Sequence, residues 1–171
     1  KMESIVIEAL KNQELMRLSW SRGDVRFGGN RRVIRNGKWS GFGFQRNGAV
    51  DHSLPVMVAR DLEGKARVVW SNYACHCTTV GGRNHISGDW AGYANEMIEN
   101  EFKSALSLMT IGCGADVGPQ PSGGLENAKI HGSTIAKEVK NLLGKKMIPL
   151  PGVTSITNSV AKLPLVKPLP N

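Results

Sequence analysis

The sequence predicts an α/β fold, a mixed sheet with flanking helices, spanning a single domain or a domain fragment over residues 1–171. Two observations carry that expectation. Apolar, β-branched runs at 55–60, 66–75 and 105–111 read as strands, while 89–103 and 125–143 repeat apolar residues at helical spacing. The two kinds of segment also alternate along the chain. Strand–helix–strand order implies layering with at least one parallel strand pair.

The elements follow in order. Residues 2–14 predict a helix, with Ile5, Ala9 and Leu10 apolar among good helix formers. Residues 16–20 alternate like a strand, and the Gly-, Arg- and Asn-rich stretch to about Gly48 predicts a long loop of the kind that often serves function. The turn at 61–65 joins two strands as a hairpin, with Gly64 supplying a positive φ. Val68, Val69 and Trp70 are consecutive apolar residues, which predicts a strand buried on both faces. Asp89 is placed to cap a helix running to about Lys103, with Trp90, Tyr93, Ala94, Met97 and Ile98 on one face. A second helix buries Ala128, Gly132, Ile135, Val139 and Leu142 and stops at Gly144. The core is expected over 15–144. A Pro-rich terminal segment, 149–171, is expected to hold one more strand at 153–163.

Composition narrows the function classes. No apolar run approaches the roughly 20 residues that cross a bilayer, so no transmembrane segment is expected. The formal charge is +8, concentrated in Arg17, Arg22, Arg26, Arg31, Arg32, Arg35, Lys38 and Arg46 against Asp24. That segment suits an anionic partner or a solvated basic loop. Few aromatics interleave it and no nucleic-acid motif is visible, so a solvated loop with one arginine reserved for substrate is expected, and no nucleic acid. Cys75, Cys77 and Cys113 make an odd set, which argues against a disulfide framework. They also lack the CxxC spacing of structural zinc sites, so buried, unreactive thiols are expected.

Ligands of layered α/β sheets bind beyond the carboxyl ends of the strands. Two Gly-rich loops, 78–88 and 112–118, leave from those ends, so the two should converge. His76 stands where the first begins, a position that aims an imidazole well for metal binding. The second loop brings backbone N–H groups close to any ligand, as oxyanion binding requires, and lacks the Lys-Ser/Thr ending of a nucleotide P-loop. Asp89 reads as a helix cap that can also orient a neighbour of the site. His85 reads as a surface residue, and His52 and His131 as structural or exposed ones.

Taken together, NRRVIRNG (30–37), VDHSLPVMVARDLEGKARVVWSNYACHCTT (50–79), ISGDWAGYA (86–94) and IGCGADVGPQP (111–121) resemble the neutral/alkaline non-lysosomal ceramidase-like family. The resemblance implies the central part of a zinc-dependent amidase domain, so the chain is expected to be a fragment of a larger catalytic domain. It implies His76 as a zinc ligand and Arg31 as a substrate-binding residue, with Arg32 standing where the family has serine. It places Asp116 and Gly118 at the catalytic turn and Gly114 beside the substrate. Gly118 occupies the position of the family's serine and carries no hydroxyl, which points to the broader hydrolase branch rather than to true ceramidases. The remaining zinc ligands would lie outside this chain, which alone is expected to be inactive. The implied substrate is a small-molecule or lipid-like amide or ester, and the implied location is exported, periplasmic or extracellular. The alternative is a non-catalytic member or fragment that retains the fold as a binding or structural module.

Overall fold

The computed structural model describes residues 2–82, 84–152, 155–162 and 164. In chain order the elements are α1 (Met2–Lys11), β1 (Arg17–Asp24), β2 (Gly28–Asn30), β3 (Arg32–Arg35), β4 (Lys38–Phe42), β5 (Ser53–Arg60), β6 (Ala66–Tyr73), α2 (Asp89–Glu101), β7 (Leu106–Ile111), β8 (Val117–Pro119), α3 (Gly124–Leu143) and β9 (Ile148–Pro149). The mixed sheet with flanking helices is present. Five strands lie in the order β7-β6-β5-β1-β9. The expected hairpin joins β5 and β6, with Gly64 at φ 86°. The expected parallel pair is β6 and β7, joined through α2.

One face of this sheet carries the core. Leu54, Val56 and Val58 of β5 and Val69 of β6 project from it and are at most 1% exposed. They meet Trp90, Ala94 and Ile98 of α2 and Ile135 and Val139 of α3. Burying each of the Val, Leu and Ile side chains among them stabilises the fold by about 1.5–3 kcal/mol before entropy is counted. The two helices touch closely where α3 has Gly132. A Cβ there would lie 2.6 Å from Cβ of Tyr93 and 2.9 Å from the amide nitrogen of Ala94.

The opposite face is apolar and open. The register places Leu18 opposite Ala59, Trp20 opposite Met57, Trp70 opposite Met57 and Leu108, and Val68 opposite Leu106. Trp70 is 43% exposed, Leu106 67% and Leu108 54%. This corrects the expectation that 68–70 is buried on both faces: Val69 alone is fully covered, because helices pack on one side only. A shallow depression of about 320 Å³ opens on the bare side between Trp20, Met57 and Trp70. The helix α1 is likewise uncovered, with no buried residue, and ends at Lys11 rather than 14.

Two further expectations differ. The stretch after residue 20 is not one long loop: β1 runs on to Asp24, and β2, β3 and β4 follow. The strand β2 pairs with the distant β8, so its Gly-Gly-Asn sequence needs no local periodicity to be held extended. In the tail, residues 155–162 hold no strand, while Val153, Thr154 and Leu163 lie outside the described residues. The strand that closes the sheet there is instead β9, paired to β1 through Trp20 and Ile148.

Candidate functional site

Three segments meet at the carboxyl end of β6, and His76 is at their junction. Its backbone is held on both sides. The amide donates to the carbonyl of Val117 on β8 at 3.1 Å, and the carbonyl accepts the indole N–H of Trp90 at 2.9 Å. The two Gly-rich loops therefore converge, as the strand order requires. Gly114 shows how closely: a Cβ there would lie 2.6 Å from both the carbonyl carbon of Ala74 and the amide nitrogen of Cys75. Its lack of a side chain is a packing requirement of this crossing.

The imidazole of His76 is partly exposed. Its Nε2 lies 2.5 Å from Nη2 of Arg31. A guanidinium only donates, so Nε2 is the acceptor and the neutral ring holds its proton on Nδ1. Burial and, second, the Arg31 charge push the pKa of His76 below its ordinary value, so the ring is neutral at physiological pH.

Arg31 sits between β2 and β3. Its own amide donates to the carbonyl of Asp116 at 2.7 Å, and its carbonyl accepts from Gly43. The guanidinium donates from Nε and Nη2 to the carbonyl of Ala115 at 3.2 and 3.1 Å. It lies 4.8 Å from the ring centroid of Phe42, a cation–π distance. The structure thus brings Arg31 to His76 out of a basic segment whose β3–β4 hairpin is mostly exposed.

Asp116 and Gly118 flank the buried Val117. The Asp116 carboxylate accepts from Nδ2 of Asn30 at 3.1 Å, so it ties the turn to β2. Gly118 pairs with Gly29. A Cβ at Gly118 would face Arg31 at ordinary contact distances, 3.7 Å from Cδ. A small side chain therefore fits there. The expected oxyanion loop is partly spent on itself: the amides of Gly112, Gly114 and Val117 donate to the carbonyls of Tyr73, Gly112 and Gly114.

Beneath this rim lies an aromatic base of which the sequence singled out only Trp90, on the apolar face of a helix. Tyr73 is fully buried, and its hydroxyl donates to the carbonyl of Val25 at 2.8 Å while accepting from the amide of Gly28 at 3.0 Å. Burial drives its pKa far above the usual phenol value. Phe27 stacks on His131 at 4.3 Å and packs edge-on to Trp90 at 5.4 Å. His131 is 2% exposed with Nε2 2.8 Å from the carbonyl of Pro121, so it is structural.

Asp89 differs from the expected cap. Its φ is 51°, and its carboxylate accepts the amide of Trp90 at 2.7 Å and that of Val80 at 2.9 Å. It clamps the loop after β6 to the start of α2 and so steadies the Trp90 indole on His76. The signals that could have found Trp90 and Phe42 are their neighbours: Trp90 follows Asp89 directly, and Phe42 ends β4 between Gly41 and Gly43, in the hairpin that carries Arg32 and Arg35.

The other sequence candidates stay apart. His85 is exposed in its loop. His52 lines a polar cleft of about 610 Å³ with Arg22, Asp24, Asp51 and Glu138, which does not include His76, Arg31 or Gly118. Cys75 is buried and its thiol is pushed up to about 12 by desolvation, but Cys77 and Cys113 are exposed, which corrects the expectation of three buried thiols. The alternation of the strand ends at Tyr73, so Cys77 already lies on a loop. Among the described residues no group of three or more His, Cys, Asp or Glu converges on a metal position.

No protein-family model and no curated protein sequence matches the chain. Solved structures do. The neutral ceramidase from Pseudomonas aeruginosa superposes with a TM-score of 0.69 at 17% identity, over 86% of this chain and 26% of that one. The fold is ceramidase-like. A ceramidase structure described as complexed with C2 gives 0.69 at 16% identity, over 86% of this chain and 25% of that one. The chain thus spans about a quarter of the length of the ceramidases it matches. No helix among the described residues is long and apolar enough to cross a membrane.

Proposed function

We propose that this chain is the central part of a zinc-dependent hydrolase acting on an amide or ester bond, with His76 as one metal ligand. The observation that carries the reading is the Nε2 lone pair of a neutral, doubly pinned histidine at the end of β6, opposite β8 and beside Arg31. A neutral imidazole nitrogen is of the kind a metal takes as ligand. The described residues supply this one ligand and not a set, whereas catalytic zinc sites use about three. The other ligands then belong to the rest of a larger catalytic domain. The bare apolar face of the sheet and the quarter-length match to the ceramidases support that placement.

Zinc at such a site supplies Lewis acidity toward a carbonyl and toward a water molecule. The residues of this chain do the rest. Arg31 offers a cation, held on Ala115 and Phe42, to the polar or anionic part of the substrate. Gly118 and Asp116 keep the β8 turn low beside it, Gly118 by leaving space and Asp116 by its bond to Asn30. Gly114 presses that turn against β6. Gly118 brings no hydroxyl, which favours direct attack by water over a serine nucleophile. A lipid-like acyl substrate and an exported location accompany this reading by resemblance.

A second reading, a non-catalytic module that retains the fold, is favoured by Gly118 and by the single ligand. Hydrolysis assays on the complete protein with N-acyl amines and the matching esters separate the two. Zinc-dependent turnover that Arg31→Ala reduces at least tenfold in kcat/KM supports the hydrolase. No turnover of either class with the complete zinc-loaded protein supports the module.

A further inference from the structure

The β3–β4 hairpin forms a sheet of its own and supplies no side chain to the buried core. A two-stranded hairpin is marginally stable in water unless something covers its apolar face. Here Ile34, Trp39 and Phe42 are all exposed. They are also gathered on one side. Ile34 faces Trp39 across the ladder, and the register skips Ser40, with Val33 opposite Gly41. Residues three apart on a regular strand point to opposite faces. The skipped residue is a bulge that turns the strand, and the rings of Trp39 and Phe42 meet edge-on at 5.7 Å.

Cations surround this cluster. Arg32, Arg35, Lys38 and Arg46 are exposed, and no acidic residue occurs between Asp24 and Asp51. None of the ion pairs found among the described residues includes any of the four. Arg35 and Lys38 pair at the tip, across the Asn36-Gly37 turn with φ of 50° and 73°.

We infer that this hairpin docks on an anionic lipid surface. An aromatic and aliphatic patch interleaved with unpaired cations matches the interface of such a bilayer, where apolar side chains enter between the headgroups and Lys and Arg reach the phosphates. Folded protein is a poorer cover, because cations without counter-charge are costly to take out of water. Nucleic acid is also a poorer match: Ile34 cannot stack on a base, and the Phe42 ring already carries the Arg31 guanidinium at 4.8 Å. The surface ends at Arg31, whose Nη2 lies 2.5 Å from Nε2 of His76. Docking therefore sets the rim of the site at the lipid boundary. The inference does not depend on His76 being a metal ligand.

Vesicle co-sedimentation of the complete protein tests it, with phosphatidylcholine vesicles against vesicles in which one lipid in four is phosphatidylglycerol. The proteins are wild type, Ile34→Ser/Trp39→Ser and Arg35→Gln/Lys38→Gln, each checked for folding by circular dichroism. Wild type is expected to bind the anionic vesicles at least tenfold more tightly than the neutral ones. Each pair is expected to weaken that binding at least tenfold. The tip pair decides the matter if the apolar pair does not fold. Absence of vesicle binding by folded wild type, equal binding to both vesicles, or binding unchanged in the folded pairs overturns the proposal. So does tighter binding to single-stranded DNA than to the anionic vesicles. Neither pair includes Arg31, His76 or Gly118, so failure here leaves the hydrolase reading to its own assay.

Discussion

The base and the rim of the site lie three residues apart in sequence and obey different rules. At the base, Tyr73 is fully buried with its hydroxyl engaged by two backbone groups. Phe27, Trp90 and His131 close around it. At the rim, His76 is partly exposed and its one side-chain contact shown is a cation on a neutral ring. Packing accounts for the base. It does not account for the rim, where a positive charge sits on an imidazole and Gly118 leaves room for a small side chain beside Arg31. What packing explains and what it leaves unexplained thus lie three positions apart, and Trp90 joins them by packing below and donating above.

Substitutions can break that separation. The largest effect is expected for Trp90→Ala, which empties the base and frees the His76 carbonyl: about 3–5 kcal/mol of stability is lost in denaturant titration. A loss under about 1 kcal/mol would mean that the base is not packed as described. Next come two glycines of one loop. Gly114→Ala drives a Cβ into the backbone of Ala74 and Cys75, at an expected cost of about 1–3 kcal/mol. Gly118→Ser meets Arg31 at ordinary contact distance and is expected to stay within about 0.5 kcal/mol of wild type. Equal costs for the two would contradict the close approach of Gly114 to the backbone that follows β6.

The smallest effect concerns the thiols. Desolvation raises Cys75 from 9.0 to about 12. A group raised in the folded state contributes stability that is intact below pH 9.0 and declines as pH climbs toward about 12. At pH 8, alkylation with mass spectrometry should modify the exposed Cys113 in the native chain and leave Cys75 untouched until denaturant is added. Equal labelling of both in the native chain would contradict the burial of the β6 end.

Much of this was legible in the sequence, and the reasons differ by element. The β5–β6 hairpin and both long helices follow from local signals: Gly64, the apolar runs and the stripe from Ala128 to Leu142. The convergence of the two loops followed from strand order. The segment from β2 to β4 was not legible, because β2 is held by β8 across the fold rather than by its own pattern. Trp70 misled for a related reason: an apolar run signals burial on both faces only if both faces are covered, and here one is bare. His76 could be marked by its position at a strand end. The guanidinium on its Nε2 could not, since Arg31 sits between β2 and β3, strands whose course no periodicity reports.

The most direct measurement is the zinc stoichiometry of the complete protein after dialysis, by elemental analysis, for wild type and His76→Ala. His76 lies at the partly exposed rim, so the variant should fold with a midpoint near that of wild type while its bound zinc falls from about one per chain to near zero. Equal zinc in both proteins would contradict the placement of the metal at His76.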